Sequence, residues 1–285
     1  MDIMHKTKRT GLTNIIFTLF SVAIIIGIWW WLAESHYGRF GVIPTPPDTF
    51  RIVWQELQKE YFWEAKFSTL WKALRSFVIS FLCAIILAML AHWKKPIRNL
   101  INPFIVITRA MPTMALVLIL LLTVGSNMLP IVVAFLVVFP LCYENMLTAI
   151  SGVDRNLVRM AKVFKVPTHR QVTGIYLPAM LPYVFSSTIA GFGLNIKVVI
   201  SAEVLGLPSM SIGYLIMTSR LNIDFSTAFA WLVIAVILSL ICEIILRIIR
   251  RFCMPWKYPD LKIMKNTSKR IFIRRKMKEV ASDSI

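Results

Sequence analysis

Six apolar runs, near residues 14–32, 70–91, 103–124, 129–149, 179–203 and 228–249, alternate with short polar stretches along the chain. Each is about 20 residues long, enough for a helix rising 1.5 Å per residue to cross roughly 30 Å of hydrocarbon. The pattern predicts an all-α polytopic membrane protein with six transmembrane helices. Trp29, Trp30 and Trp31 close the first run as an interfacial aromatic anchor. That run is too long for a signal-peptide core and no small-residue cleavage site follows it, so its retention is expected. The chain divides into a leader (1–13), a first span with an external segment (14–66), a five-helix core (67–250) and a basic tail (251–285). Within the external segment, acids and bases surround Ile43-Pro44-Thr45-Pro46-Pro47 and give way to an amphipathic stretch.

Between the fourth and fifth runs lies RMAKVFKVPTHRQVTGIYLP, residues 159–178. Leu157, Met160, Ala161 and Phe164 recur at i, i+3, i+4 and i+7, one face of a short helix. Asp154 is placed to cap that helix, and Arg155, Arg159, Lys162 and Lys165 surround its other side. Pro167 disfavours helix at Val166 and predicts a break there. Thr168 with Gln171 is spaced as a capping box for a second helix. The expected product is a helix–break–helix elbow with an apolar knuckle and a cationic rim.

Composition agrees with a membrane protein: 57% of residues are hydrophobic and mean hydropathy is +0.69. The net charge of +18 does not point to nucleic acid, because the bases flank apolar spans as positive-inside anchoring requires. With the N-terminus inside, cytoplasmic segments carry 23 Lys and Arg against 5 on external ones. That asymmetry puts both termini and the elbow in the cytoplasm. The tail reads as a solvated or lipid-headgroup-binding extension, which makes membrane lipid a partner. The four cysteines form no CxxC or Cys/His cluster, and no Walker A loop or nucleophile–base set occurs, so neither metal nor catalysis is expected.

The elbow resembles the coupling loop of ABC importer permeases, whose pattern is Glu-Ala-Ala, three residues, Gly, nine residues, Ile-x-Leu-Pro. Ala161 stands at the second Ala, and Ile175, Leu177 and Pro178 stand at the terminal Ile-x-Leu-Pro. Arg159, Met160 and Lys165 replace the Glu, the first Ala and the Gly, and the break is assigned to Pro167 instead of the missing glycine. Arg109-Ala110-Met111-Pro112-Thr113-Met114-Ala115, Ile43-Pro44-Thr45-Pro46 and Leu177-Pro178-Ala179-Met180-Leu181-Pro182 are similar to segments of the nitrate/sulfonate/taurine branch. So are Lys197 to Gly206 and Ile212-Gly213-Tyr214-Leu215-Ile216. Order and spacing agree from about residue 40 to 250.

The resemblance implies the type I ABC importer permease fold in the cytoplasmic membrane of a prokaryote. A cytoplasmic ABC ATPase dimer would use ATP and Mg, with no cofactor in this chain. An extracytoplasmic binding protein would deliver a small solute, either a nitrate-, sulfonate- or taurine-like anion or a vitamin precursor. A second permease subunit, in the simplest case an identical chain, would complete the pathway. Leu157, Met160, Ala161, Phe164, Ile175, Leu177 and Pro178 would then couple to the ATPase.

Ionisable groups inside spans supply the remaining candidates. Asn195, Lys197 and Glu203 of the fifth run are assigned to the substrate pathway. Lys197 has two readings, a pathway cation that attracts an anion and a structural partner of a neighbouring span. Glu203 reads as a helix-end or gate contact, and its six-residue spacing keeps it from pairing with Lys197. Arg109 is expected to snorkel or pair, Glu144 and the Glu243/Arg247 couple are structural, and Lys72 and Arg75 are placed on a polar turn where the second span begins. Gly191 and Gly193 suggest close packing or a kink. A secondary transporter and a non-transporting scaffold are the alternatives; neither requires the elbow.

Overall fold

The computed structural model describes residues 2–35 and 43–254, with no strand among them. The tail from residue 255 onward lies outside the described residues. Eleven α-helices follow one another in those residues: α1 (Asp2–Glu34), α2 (Pro46–Leu57), α3 (Glu60–Trp93), α4 (Lys95–Ala110), α5 (Thr113–Val124), α6 (Leu129–Ser151), α7 (Arg155–Val163), α8 (Thr168–Gln171), α9 (Leu177–Gly206), α10 (Ile212–Leu221) and α11 (Phe225–Cys253). Five of the helical stretches are long and apolar enough to cross a membrane, and α4 with α5 makes a sixth if the bent pair counts as one span.

That pair corrects the expectation of a straight third span over 103–124. α4 and α5 meet at an angle of 103°. Pro112 is the cause: it has no N–H for a helical bond and excludes the helical conformation at the residue before it. Met111 is accordingly extended, with φ −70° and ψ 130°.

The core is built on α6, which packs most extensively against α3 and α9. On α3 the buried face is a stripe of small residues, Ala73, Ser76, Ser80, Ala84, Ala88 and Ala91. Small side chains let helix backbones approach closely in a membrane, where the hydrophobic effect does not drive helices together. Against the stripe pack Phe139, Cys142, Tyr143 and Met146 of α6. Gly191 of α9 completes the contact: a Cβ there would lie 3.3 Å from both Cys142 Sγ and Phe77 Cε2.

α1 runs continuously through the leader and the first run, and its span is almost wholly uncovered by the rest of the chain. The Pro-rich stretch after it starts α2. Thr45 caps that helix through Asp48 N, with Pro46 in the first turn. Trp29 Nε1 donates to the Pro44 carbonyl at 3.2 Å. The amphipathic reading of this segment holds: Thr49, Val53 and Glu56 are buried while Phe50 and Trp54 are exposed. Glu56 accepts from Lys59 Nζ at 2.6 Å and from Tyr61 Oη at 2.7 Å. The hydrogen bond to Glu56, ahead of the other contacts, raises the Lys59 pKa.

The stretch after α9, expected as an external connection, contains α10, which folds back onto α9 and α11. Its start is so close to α9 that a Cβ on Gly213 would lie 2.4 Å from Glu203 Cβ and 2.6 Å from the Val204 nitrogen. The obstacle is backbone and cannot rotate away. Gly213→Ala should therefore cost about 1–3 kcal/mol by overpacking. A lowered midpoint of thermal denaturation in detergent is the expected reading, and an unchanged midpoint would show that α9 and α10 do not meet this closely.

Candidate functional site

The elbow forms much as its residues suggest, with two differences in how it is built. Asp154 caps α7, its carboxylate accepting from Asn156 N at 2.8 Å. The helix ends in a Schellman motif, with Val166 N donating to Ala161 O at 2.9 Å and Lys165 N to Lys162 O at 3.0 Å. Lys165 takes φ +51°. The turn is thus made at the glycine position by a lysine in the left-handed conformation, and Pro167 follows the break instead of imposing it.

The expected capping box is also absent. Pro167, not Thr168, occupies the cap of α8 and has no N–H for Gln171 to reach. The Gln171 amide donates instead to the Val166 carbonyl, at 2.6 Å.

From Val172 to Tyr176 the chain makes one π-helical turn, closed by Leu177 N donating to Val172 O. Pro178 accounts for it. In α register its missing N–H would have bonded the Gly174 carbonyl, and the wider turn re-spaces the ladder around that loss. Elbow and span are joined through this turn into one helical stretch, Thr168–Gly206.

Leu157, Met160 and Phe164 stand on the outer surface of the elbow, 44%, 53% and 73% exposed. Val163 is exposed beside them, a member the i, i+3, i+4 pattern does not include. Ala161 is buried at the turn. Ile175 is half-buried, and Leu177 and Pro178 are exposed at the foot of α9. No span packs extensively on α7.

Asn195, Lys197 and Glu203 do not come together. Asn195 and Glu203 are fully buried against α3. Asn195 Nδ2 donates to the Ala73 carbonyl at 2.7 Å, and its Oδ1 accepts from Ser76 Oγ at 3.0 Å. Glu203 is held from three directions. Lys72 Nζ lies 3.1 Å from Oε1, while Thr69 Oγ1 and Gly213 N donate to Oε2 at 2.9 and 3.3 Å. Thr69 Oγ1 also accepts from Ile212 N at 3.0 Å. The carboxylate thus sits at the N-terminus of α10, where the helix dipole favours negative charge.

Lys72 is the residue that sequence reasoning placed wrongly. It lies well inside the 34-residue α3, and its side chain is only 12% exposed. The missed signal was the extension of the apolar pattern toward residue 60, which moves Lys72 away from the helix start. Arg109 and Glu144 form an ion pair across α4 and α6, and Arg247 Nη2 pairs with Glu243 at 2.5 Å.

Lys197 points elsewhere. Two residues from Asn195, it is turned about 200° around the helix. It lines a groove of about 390 Å³ between α9 and α11, with Ile200, Ile216, Val236, Ser239 and Glu243. Among the described residues it belongs to none of the ion pairs. No group of three or more His, Cys, Asp or Glu among the described residues is placed to hold a metal.

Removing one partner of a buried pair strands the other. Lys72→Met should destabilise the fold by about 3–5 kcal/mol, and adding Glu203→Gln should restore much of the loss. Thermal denaturation of both variants in detergent checks this; equal damage by the single and double changes would mean that the pair is not coupled.

Comparison with known proteins agrees with this architecture. Residues 80–253, more than half the chain, match the family described as binding-protein-dependent transport system inner membrane component. The chain is 26% identical over 239 residues to the putative aliphatic sulfonates transport permease of Bacillus subtilis (strain 168), covering 82% of this chain and 85% of that one. It is 28% identical over 247 residues to a probable ABC transporter permease of Brucella abortus (strain 2308), covering 86% and 97%. With the taurine transport system permease of Escherichia coli (strain K12) it shares 20% identity over 245 residues, covering 83% and 88%. These relatives are transport components and not enzymes. The apolar spans, the elbow and the match across the core together make this chain a multi-pass membrane permease, a member of the binding-protein-dependent inner membrane component family.

Proposed function

We propose that this chain is the membrane subunit of an ATP-driven importer, coupled through α7 and the turn after it to a cytoplasmic ATPase dimer. The observation that carries the reading is the uncovered knuckle of Leu157, Met160 and Phe164 on a helix that the spans do not bury. Basic residues surround it, and the distribution of Lys and Arg supports a cytoplasmic position. A groove on the ATPase would receive the apolar side chains while Arg159 and Lys162 meet its rim. ATP favours one of two arrangements of the motor, and α9 carries that preference from its foot toward Glu203. Two such subunits form the pathway, and an extracytoplasmic binding protein supplies the cargo. ATP and Mg act in the motor, not here.

The relatives named for aliphatic sulfonates and taurine support a small organic anion as the cargo. Lys197 supports it too: an ammonium deep in a span, outside any ion pair and open to a groove, is suited to attract negative charge. Asn195 and Glu203 act on the pathway from behind, by fixing α9 against α3.

Phe164→Asp puts a charge into the proposed apolar contact without touching the bundle. The variant should reach the membrane in normal amount, lose co-purification with the ATPase and lose at least ten-fold in uptake rate. Normal co-purification and uptake would remove the elbow from the coupling path.

A further inference from the structure

The groove between α9 and α11 holds two unused donors, one from each helix. Lys197 lies nine residues, about 14 Å, from the end of α9 at Gly206, within the depth of the hydrocarbon. Its neighbours Asn195, Ile196, Val198 and Val199 are buried, whereas Lys197 is exposed and lines the groove. Ser239 of α11 lines it too. Hydroxyls on the helices of this chain commonly donate to the carbonyl four residues earlier, as those of Ser80, Thr108, Thr188 and Thr218 do. Among the described residues, Ser239 makes no such bond. Neither donor finds an acceptor in lipid, and a bare ammonium at this depth is costly, so water or a ligand has to supply one.

The lining sets the charge of that ligand. Lys197 and Glu243 are the charged residues that line the groove, and Glu243 already pairs with Arg247. One positive charge is left over, which matches a single negative one. Gly193 sets the shape. It lies one turn from Lys197 on the same side of α9 and also lines the groove. Gly191 is required by packing, but a Cβ on Gly193 would meet nothing within 4 Å. Glycine is a poor helix former, and packing gives no reason for it here. What it leaves is empty space beside the ammonium. Ile200, Leu232 and Val236 give the rest of the groove apolar walls. Its volume of about 390 Å³ lies at the lower end of the range for small-molecule sites, about 300–1,000 Å³.

We propose that this groove binds a singly charged organic acid, with Lys197 Nζ and Ser239 Oγ donating to the oxygens of its acid group and the Gly193 gap taking its body. This rests on the reading of Lys197 as a contact for the cargo; it adds Ser239 as a second donor and Gly193 as the residue that limits size. An inorganic anion would leave the apolar walls and the gap unfilled, and a doubly charged one would exceed the charge available.

Val236→Cys, which leaves both donors in place, tests the site in proteoliposomes carrying the complete transporter, with the four native cysteines replaced. Its thiol is offered anionic sulfonatoethyl methanethiosulfonate, the cationic trimethylammonioethyl counterpart and uncharged N-ethylmaleimide. Relative to each reagent's rate with free cysteine, the anionic one should be favoured about ten-fold, and adding Lys197→Met should abolish the preference. Butanesulfonate or butyrate should slow the reaction, and butylammonium should not. Ser239→Ala should weaken that protection, and Gly193→Leu should remove it while keeping the charge preference. Gly193→Ala should leave the midpoint of thermal denaturation unchanged or raised. Reaction with N-ethylmaleimide alone would mean that lipid fills the groove and overturns the site. A charge preference that survives Lys197→Met, or equal protection by butylammonium, overturns it as well. ATP hydrolysis by the native complex is measured alongside: a failed site with hydrolysis present leaves the ATP-driven reading standing, and absent hydrolysis removes both.

Discussion

A carboxylate sealed among apolar helices is the most demanding group in this chain, and the arrangement of its partners organises the bundle. Glu203 takes an ammonium from α3, a hydroxyl from α3 and a backbone N–H from the start of α10. None of these is optional in a low-dielectric interior, where an unpaired polar group costs several times what it would at a surface. Satisfying Glu203 therefore fixes three elements at once. It sets the register of α3 against α9, and it fixes where α10 must return after the left-handed turn at Leu207. Asn195 repeats the device two turns nearer the elbow. Between the two, α3 and α9 are locked against sliding, and the small-residue stripe of α3 lets α6 close against them.

This locking gives the elbow its mechanical meaning. The π-turn at Val172–Tyr176 keeps α8, the second arm of the elbow, in helical continuity with α9 despite Pro178. Under the proposed coupling, a displacement at the foot of α9 would be delivered to the whole α3–α6–α9 body and not absorbed in a loose joint. The bend between α4 and α5 is a second departure from straight spans. Polar groups inside this permease thus divide by role. Asn195 and Glu203 hold helices together, Arg109 and Glu144 brace a bend, and Lys197 is left open to a groove.

Much of this was legible in the residues. Apolar runs of span length and the Asp154 cap depend on composition and local spacing, and the helices follow them closely. The capped start of α2 was likewise written in Thr45-Pro46. What failed depended on finer accounting of backbone groups. Pro112 lay inside an apolar run, and hydropathy alone concealed that it must break the helix. Thr168 and Gln171 had capping-box spacing, but the cap fell on a proline that has no N–H to donate. Lys165 adopted the backbone of the glycine it replaces because the Schellman bonds around it are satisfied that way. The pairing of Lys72 with Glu203 joins residues 131 apart in the chain, and no local pattern reports such a contact.

The claim that α3, α6 and α9 move as one body is tested most directly by distances between nitroxide labels in the complete transporter. Labels at Val172, in the turn that leads into α9, and at Trp71, exposed on α3, report the interior of one chain when labelled copies are diluted with unlabelled ones. With a non-hydrolysable ATP analogue, the distance between these labels within a chain should stay constant while the Val172–Val172 distance between copies shortens. A within-chain distance that changes while the copies keep their separation would contradict the account.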